Sequence, residues 1–172
     1  MSVGAKFAAA ARRRLGCAVI LAGSDSDRPH IEKIAESLEA FRIPYEVRIC
    51  SAHKSPDRLL ELIAEYDGLG APLAYIAVAG GTDALSGVLS FQASNPVISC
   101  PPDPPNPSCL ANPPGSSNAT IYNPSNVGKF IAQMYAGINS EYAQRLLQAR
   151  QEKIERLRAS DREFQDRYGR GI

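Results

Sequence analysis

The chain of 172 residues carries a formal net charge of +1, with 44% apolar and 22% charged residues. That length suits one compact domain with a full core, and the fractions are ordinary for a globular protein. The small net charge excludes an overall field that would draw the chain to nucleic acid or a membrane surface, and no apolar run approaches the roughly 20 residues that span a bilayer.

Residues 1–16 (MSVGAKFAAAARRRLG) are basic and lack acidic residues. They are read as an N-terminal arm, disordered or helical, with a cleaved transit peptide as the alternative. CAVILAG (17–23) is a nearly continuous apolar run ending in Gly, as expected of a buried parallel strand. A helix over 29–42 follows, opened by Pro29 and carrying Ile31, Ile34, Leu38 and Phe41 at helical spacing. A strand is expected at 44–50 and a helix at 56–67, where Leu59, Leu60 and Ile63 share a face. LAYIAVAG (73–80) reads as a third strand, 83–92 as a short helix, 96–100 as a fourth strand and 118–123 as a fifth. Between the last two strands, CPPDPPNPSCLANPPGSS is too rich in proline for helix or central strand. A helix over 124–138 precedes a long charged helix at 140–168. The thin apolar stripe of that last helix (Leu147, Ile154, Leu157, Phe164, Tyr168) calls for a neighbouring subunit or its own domain to pack on.

Strands alternating with helices predict right-handed βαβ crossovers, hence a parallel sheet with helices on both faces. Ligands of such sheets bind beyond the carboxyl ends of the strands. Three small, polar stretches fall on that edge: GSDSD (23–27), SAHK (51–54) and AGGTDALSG (79–87). The first offers Ser24 and Ser26 hydroxyls and a helix N-terminus to an anion, with Asp25 and Asp27 suited to ribose hydroxyls. Helix capping by Ser26 or Asp27 explains the same residues without a ligand. In the second, Lys54 suits a phosphate and His53 a proton transfer near neutral pH. The bland reading is a half-buried histidine bonded to a neighbouring loop. The third lacks GxGxxG spacing, so a dinucleotide site is not supported, and a turn capped by Thr82 or Asp83 accounts for it equally. His30, the other histidine, is expected on a helix surface and is given no role. The four cysteines (Cys17, Cys50, Cys100, Cys109) show no CxxC spacing and argue against a zinc site, so no metal is expected. Three of them open or close apolar runs, the pattern of buried thiols in a reducing, cytoplasmic compartment.

The series AVILAGSDSD, IPYEVRICSAHKSPDRL, AYIAVAGGTDALSG and NPVISCPP resembles the aminoimidazole ribonucleotide (AIR) carboxylase family, PurE, of purine biosynthesis, from Cys17 to about Gly137. SAHK, the ALSG ending and the long last helix look more like the class that fixes CO2 directly. The resemblance implies a flavodoxin-like three-layer α/β/α sandwich over 17–138, with 139–172 as a C-terminal helical extension, assembled as a homo-octamer. It implies carboxylation of AIR, or decarboxylation of its product CAIR, with no metal, biotin or ATP. His53 is then the proton shuttle, Ser24, Asp27, Ser51 and Lys54 resemble ribose-phosphate contacts, and Gly80 and Gly81 flank the carboxylate. The matched loops add Gly23, Asp25, Ala52, Asp83 and Leu85 to the expected substrate contacts. Gly81 and Asp83 stand where the direct carboxylases carry Arg and Asn, and Cys109 and Ala111 where they carry Ser and Arg. Two further readings follow from those exchanges: a decarboxylase of another aromatic or amino-heterocyclic acid, and a silent nucleotide-binding scaffold.

Overall fold

A computed structural model describes residues 3–169. Five strands, β1 (Cys17–Ala22), β2 (Tyr45–Ile49), β3 (Leu73–Val78), β4 (Val97–Ser99) and β5 (Ala119–Thr120), form one sheet in the order β2-β1-β3-β4-β5. All four pairings are parallel. This is the flavodoxin-like order, whose switch point lies between β1 and β3. Every residue of β1 and β3 is buried, which is why both read as unbroken apolar runs. The edge strand β2 is half exposed, and its outward positions are the apolar Val47 and Ile49. The fifth strand is shorter than its sequence suggests. It keeps two residues at the far edge of the sheet, paired with β4.

Among the described residues six helices complete the layers: α1 (Ala5–Ala11), α2 (Arg28–Ala40), α3 (Pro56–Asp67), α4 (Leu85–Gln92), α5 (Val127–Tyr135) and α6 (Ser140–Tyr168). On one face, Leu59, Leu62, Tyr66, Leu85 and Leu89 of α3 and α4 cover the sheet. On the other, Ile34 and Leu38 of α2, Val127 and Ile131 of α5 and Tyr142 of α6 do the same. The arm joins the first face through α1, where Phe7 meets Tyr66 edge-on at 5.8 Å. The start of α6 joins the second, with the Tyr142 hydroxyl donating to the Gly16 carbonyl at 2.8 Å. The segment expected as one helix over 124–138 begins instead as a 3-10 turn, Pro124–Asn126, capped by the Asn123 side chain, which accepts from the Ser125 N–H at 3.0 Å. Among the described residues no helix is long and apolar enough to cross a membrane.

The helices α2 and α5 approach so closely that only glycine fits between them. The Gly128 N–H donates to the Ser37 hydroxyl at 3.0 Å, and that hydroxyl donates on to the Ile34 carbonyl at 2.7 Å. A Cβ on Gly128 would stand 1.9 Å from the Ser37 carbonyl oxygen.

Candidate active site

The three polar stretches converge because the ladder hydrogen bonds continue past the strand ends. The Gly23 N–H donates to the Val78 carbonyl at 2.9 Å and the Cys50 N–H to the Ala22 carbonyl at 2.8 Å. The loops after β1, β2 and β3 therefore leave the sheet side by side. They enclose a cleft of about 260 Å³ that holds Gly23, Ser24, Asp27, Ser51, Ala52, His53, Gly80 and Leu85 from the sequence expectation. It also holds Ser26, whose hydroxyl was offered to an anion or a cap, and Thr82, read as a turn cap, together with Ala79 and Ala84, to which no role was given.

Local bonding orders each loop. The Ser24 hydroxyl caps the turn Asp25–Asp27, accepting from the Ser26 N–H at 3.2 Å and pairing with the Ser26 hydroxyl at 2.8 Å. Capping therefore falls to Ser24, and Asp27 makes no side-chain cap bond. In the second loop the Ser51 hydroxyl accepts from the Lys54 N–H at 3.3 Å, while the Ser51 carbonyl accepts from the Ser55 N–H at 2.9 Å. That turn holds His53 outward at the mouth of the cleft. His53 is exposed and its ring makes no hydrogen bond within the described chain. The bland reading of a half-buried, loop-bonded histidine describes His30 instead. His30 Nε2 lies 3.0 Å from the Cys100 carbonyl oxygen, and burial lowers its pKa below the ordinary histidine value.

Four expected residues fall outside the cleft lining, each for a visible reason. Asp25 faces a groove on the far side of its turn, beside Arg28, Val47 and Ile49. Lys54 is exposed, tied to the cleft rim by its backbone. Asp83 is buried and caps α4, accepting from the Ser86 N–H at 2.9 Å. Gly81 is turned away by a residue that sequence reasoning missed. Its N–H donates to Asp103 Oδ2 at 2.7 Å, and its carbonyl accepts from Asn106 Nδ2 at 3.0 Å. The positive φ of 63° at Gly81 is the conformation that glycine takes most cheaply. The available signal was that Asp103 is the single charged residue of the proline-rich segment.

The Gly81 hydrogen bond holds the Asp103 carboxyl below the ordinary value of 3.8, with Asn106 adding to the effect. A depressed folded-state pKa means the latch is fully present above 3.8 and is lost only as pH falls through the lower, folded value. The Gly81 amide resonance of the wild type should thus shift only below that value in an NMR titration. Asp103→Asn should abolish the acid transition. A transition at or above the ordinary value would contradict the latch.

Chemically, the cleft offers hydroxyls, loop N–H groups, one carboxylate and one free imidazole. Among the described residues no cysteine lines it, and burial elsewhere pushes the Cys17 and Cys100 thiols up to about 12 and raises those of Cys50 and Cys109.

The AIR carboxylase family model matches residues 17–156. The chain belongs to the AIR carboxylase family. Its members carry out carboxylation or decarboxylation in purine biosynthesis. Phosphoribosylaminoimidazole carboxylase of Treponema denticola is 37% identical over 131 residues, covering 73% of this chain and 82% of that protein. The mouse bifunctional phosphoribosylaminoimidazole carboxylase/succinocarboxamide synthetase is 43% identical over 128 residues. That match covers 71% of this chain but 30% of the mouse protein, so this family member spans under a third of its bifunctional relative. The crystal structure of Treponema denticola PurE superposes with a TM-score of 0.80 at 31% identity, covering 90% of this chain and 99% of that one. The flavodoxin-like architecture expected from the sequence is thereby matched by a solved member of the family.

Proposed function

We propose that this AIR carboxylase family member interconverts AIR and CAIR without cofactor, with His53 moving the proton. The observation that carries this reading is the free imidazole at the mouth of the cleft, beside the Ser51 and Gly80 loops. In carboxylation, the nucleophilic ring carbon forms a bond to CO2. The ring proton on that carbon then leaves to His53, restoring the aromatic ring. In decarboxylation, His53 returns the proton to the same carbon as the carbon–carbon bond breaks and CO2 departs. Ser24, Asp27 and Ser51 are assigned to the ribose phosphate, with Lys54 reaching in from the rim, and Gly80 to the carboxylate side. The burial of Asp83 under α4 supports a carboxylate substrate, since its charge caps a helix rather than facing the cleft.

Lys54→Ala should raise the KM for CAIR about tenfold, the equivalent of ~1.4 kcal/mol, because a charge-assisted contact to phosphate is lost. Inorganic phosphate should compete with substrate in the wild type and less so in the variant. An unchanged KM together with no phosphate competition would remove the ribose phosphate from the reading.

A second reading, the same decarboxylation on an amino-heterocyclic acid without phosphate, is favoured by the lining itself. It contains no lysine or arginine among the described residues. His53 keeps its role in that case. Both readings place the protein in the cytoplasm, supported by four buried free cysteines that suit a reducing compartment. Assembly as a homo-octamer belongs to the family reading, supported by exposed apolar side chains such as Val47, Ile49 and Phe91. A monomer in light scattering would remove it.

A further inference from the structure

The far part of α6 repeats every seven residues. Leu147, Ile154 and Tyr168 occupy one seam position and Leu157 and Phe164 the other, with Arg150 and Asp161 as the two interruptions. Apolar residues at alternating spacings of three and four form the seam of a two-helix coiled coil. This seam does not face its own domain, which is contacted instead by Tyr142, Leu146 and Ala149. Leu147 is 67% exposed, Leu157 60%, Phe164 58% and Tyr168 62%.

We propose that α6 pairs antiparallel with α6 of a second copy of this chain, about a twofold axis passing between Glu155 and Arg156. In an antiparallel pair the two seam positions face one another across the axis. Turned about that point, Leu147 meets Phe164 of the second copy and Ile154 meets Leu157. Arg150 meets Asp161 in the same turn, so the two interruptions become two symmetry-related ion pairs inside an apolar seam. A parallel, in-register pair would instead stack Arg150 on Arg150 and Asp161 on Asp161. Like charges in the seam exclude that orientation. The flanking positions agree, since Gln151 comes opposite Arg158 and Lys153 opposite Ser160, with no like charges facing. Tyr168 closes the end against Ala143. The pairing is independent of the chemistry in the cleft.

Cross-linking of the full chain tests orientation and register together. Positions 147 and 164 lie about 26 Å apart along one helix at 1.5 Å per residue, beyond the reach of a disulfide within a single chain. The native cysteines are all buried and supply the background control. Under mild oxidation a chain carrying both Leu147→Cys and Phe164→Cys should form covalent dimers. Either substitution alone should not. Dimers from a single-cysteine chain, or none from the doubly substituted chain, would overturn the antiparallel register. In the doubly substituted background, Arg150→Asp or Asp161→Arg should each slow cross-linking roughly tenfold, as like charges then face across the seam. Combining the two exchanges should restore the rate. A combined variant as slow as the single ones would overturn the proposed Arg150–Asp161 contact.

Discussion

Replacing His53 with Asn should lower turnover by about 10²–10⁴-fold, the usual contribution of a positioned proton-transfer group. Asn keeps a similar size and a hydrogen-bonding end but has no nitrogen that titrates near neutral pH. The fold should not change, because His53 is exposed and bonded to nothing within the described chain. Substitution at such a position usually alters stability by no more than about 0.5 kcal/mol. Thermal unfolding and light scattering should therefore match the wild type while steady-state rates collapse. The predicted split is a loss in kcat with little change in KM, since the imidazole acts on the reacting carbon rather than on the ribose phosphate. Turnover within a few-fold of the wild type would take His53 out of the mechanism.

Gly128→Ala should give the largest loss of stability from a single methyl group. Two effects compete at this position. Gly128 lies in the first turn of α5, where alanine favours the helix over glycine by at most about 0.5–1 kcal/mol. Against it stands a Cβ placed 1.9 Å from the Ser37 carbonyl oxygen, 2.4 Å from its carbon and 2.9 Å from the Leu38 nitrogen. All three atoms are backbone of α2, so no side chain can swing aside. The helix α5 has to move off α2, which loosens Val127 and Ile131 against Ile34 and Leu38 and stretches the bond from the Gly128 N–H to Ser37. Overpacking of this kind costs about 3 kcal/mol or more where relaxation is blocked, so the steric effect wins. At roughly 2–4 °C per kcal/mol for a chain of this size, the Tm should fall by about 6–12 °C. An unchanged or raised Tm would mean that the two helices are not in this contact.

The fold was legible in the sequence wherever burial is two-sided or periodic. The runs CAVILA and LAYIAV, short and closed by turn residues, read as buried parallel strands, and the spacing of Ile31, Ile34 and Leu38 read as one buried helix face. Legibility failed where the deciding partner is distant in the chain. Asp83 reads equally well as a ligand contact or a cap, and only the position of the Ser86 N–H settles it. The hold of Asp103 on Gly81 spans 22 residues and two loops, with no periodic signal to announce it. The N-terminal arm looked like a detached basic segment because its one aromatic, Phe7, finds Tyr66 only after α3 is in place. His53 and His30 show the same limit in reverse. Both sit near strand ends in the fold, yet one is free at the cleft and the other is tied to Cys100 by geometry that spans 70 residues.

The most direct test of the proposed activity is CO2 release from CAIR by the wild-type protein, with no ATP, biotin or added metal, alongside carboxylation of AIR in bicarbonate. Turnover is expected in both directions well above the uncatalysed rates, lowered about 10²–10⁴-fold by His53→Asn. Binding of CAIR without turnover, or no binding at all, would contradict it. The first outcome would leave a nucleotide-binding scaffold, and the second a cleft shaped for a different acid.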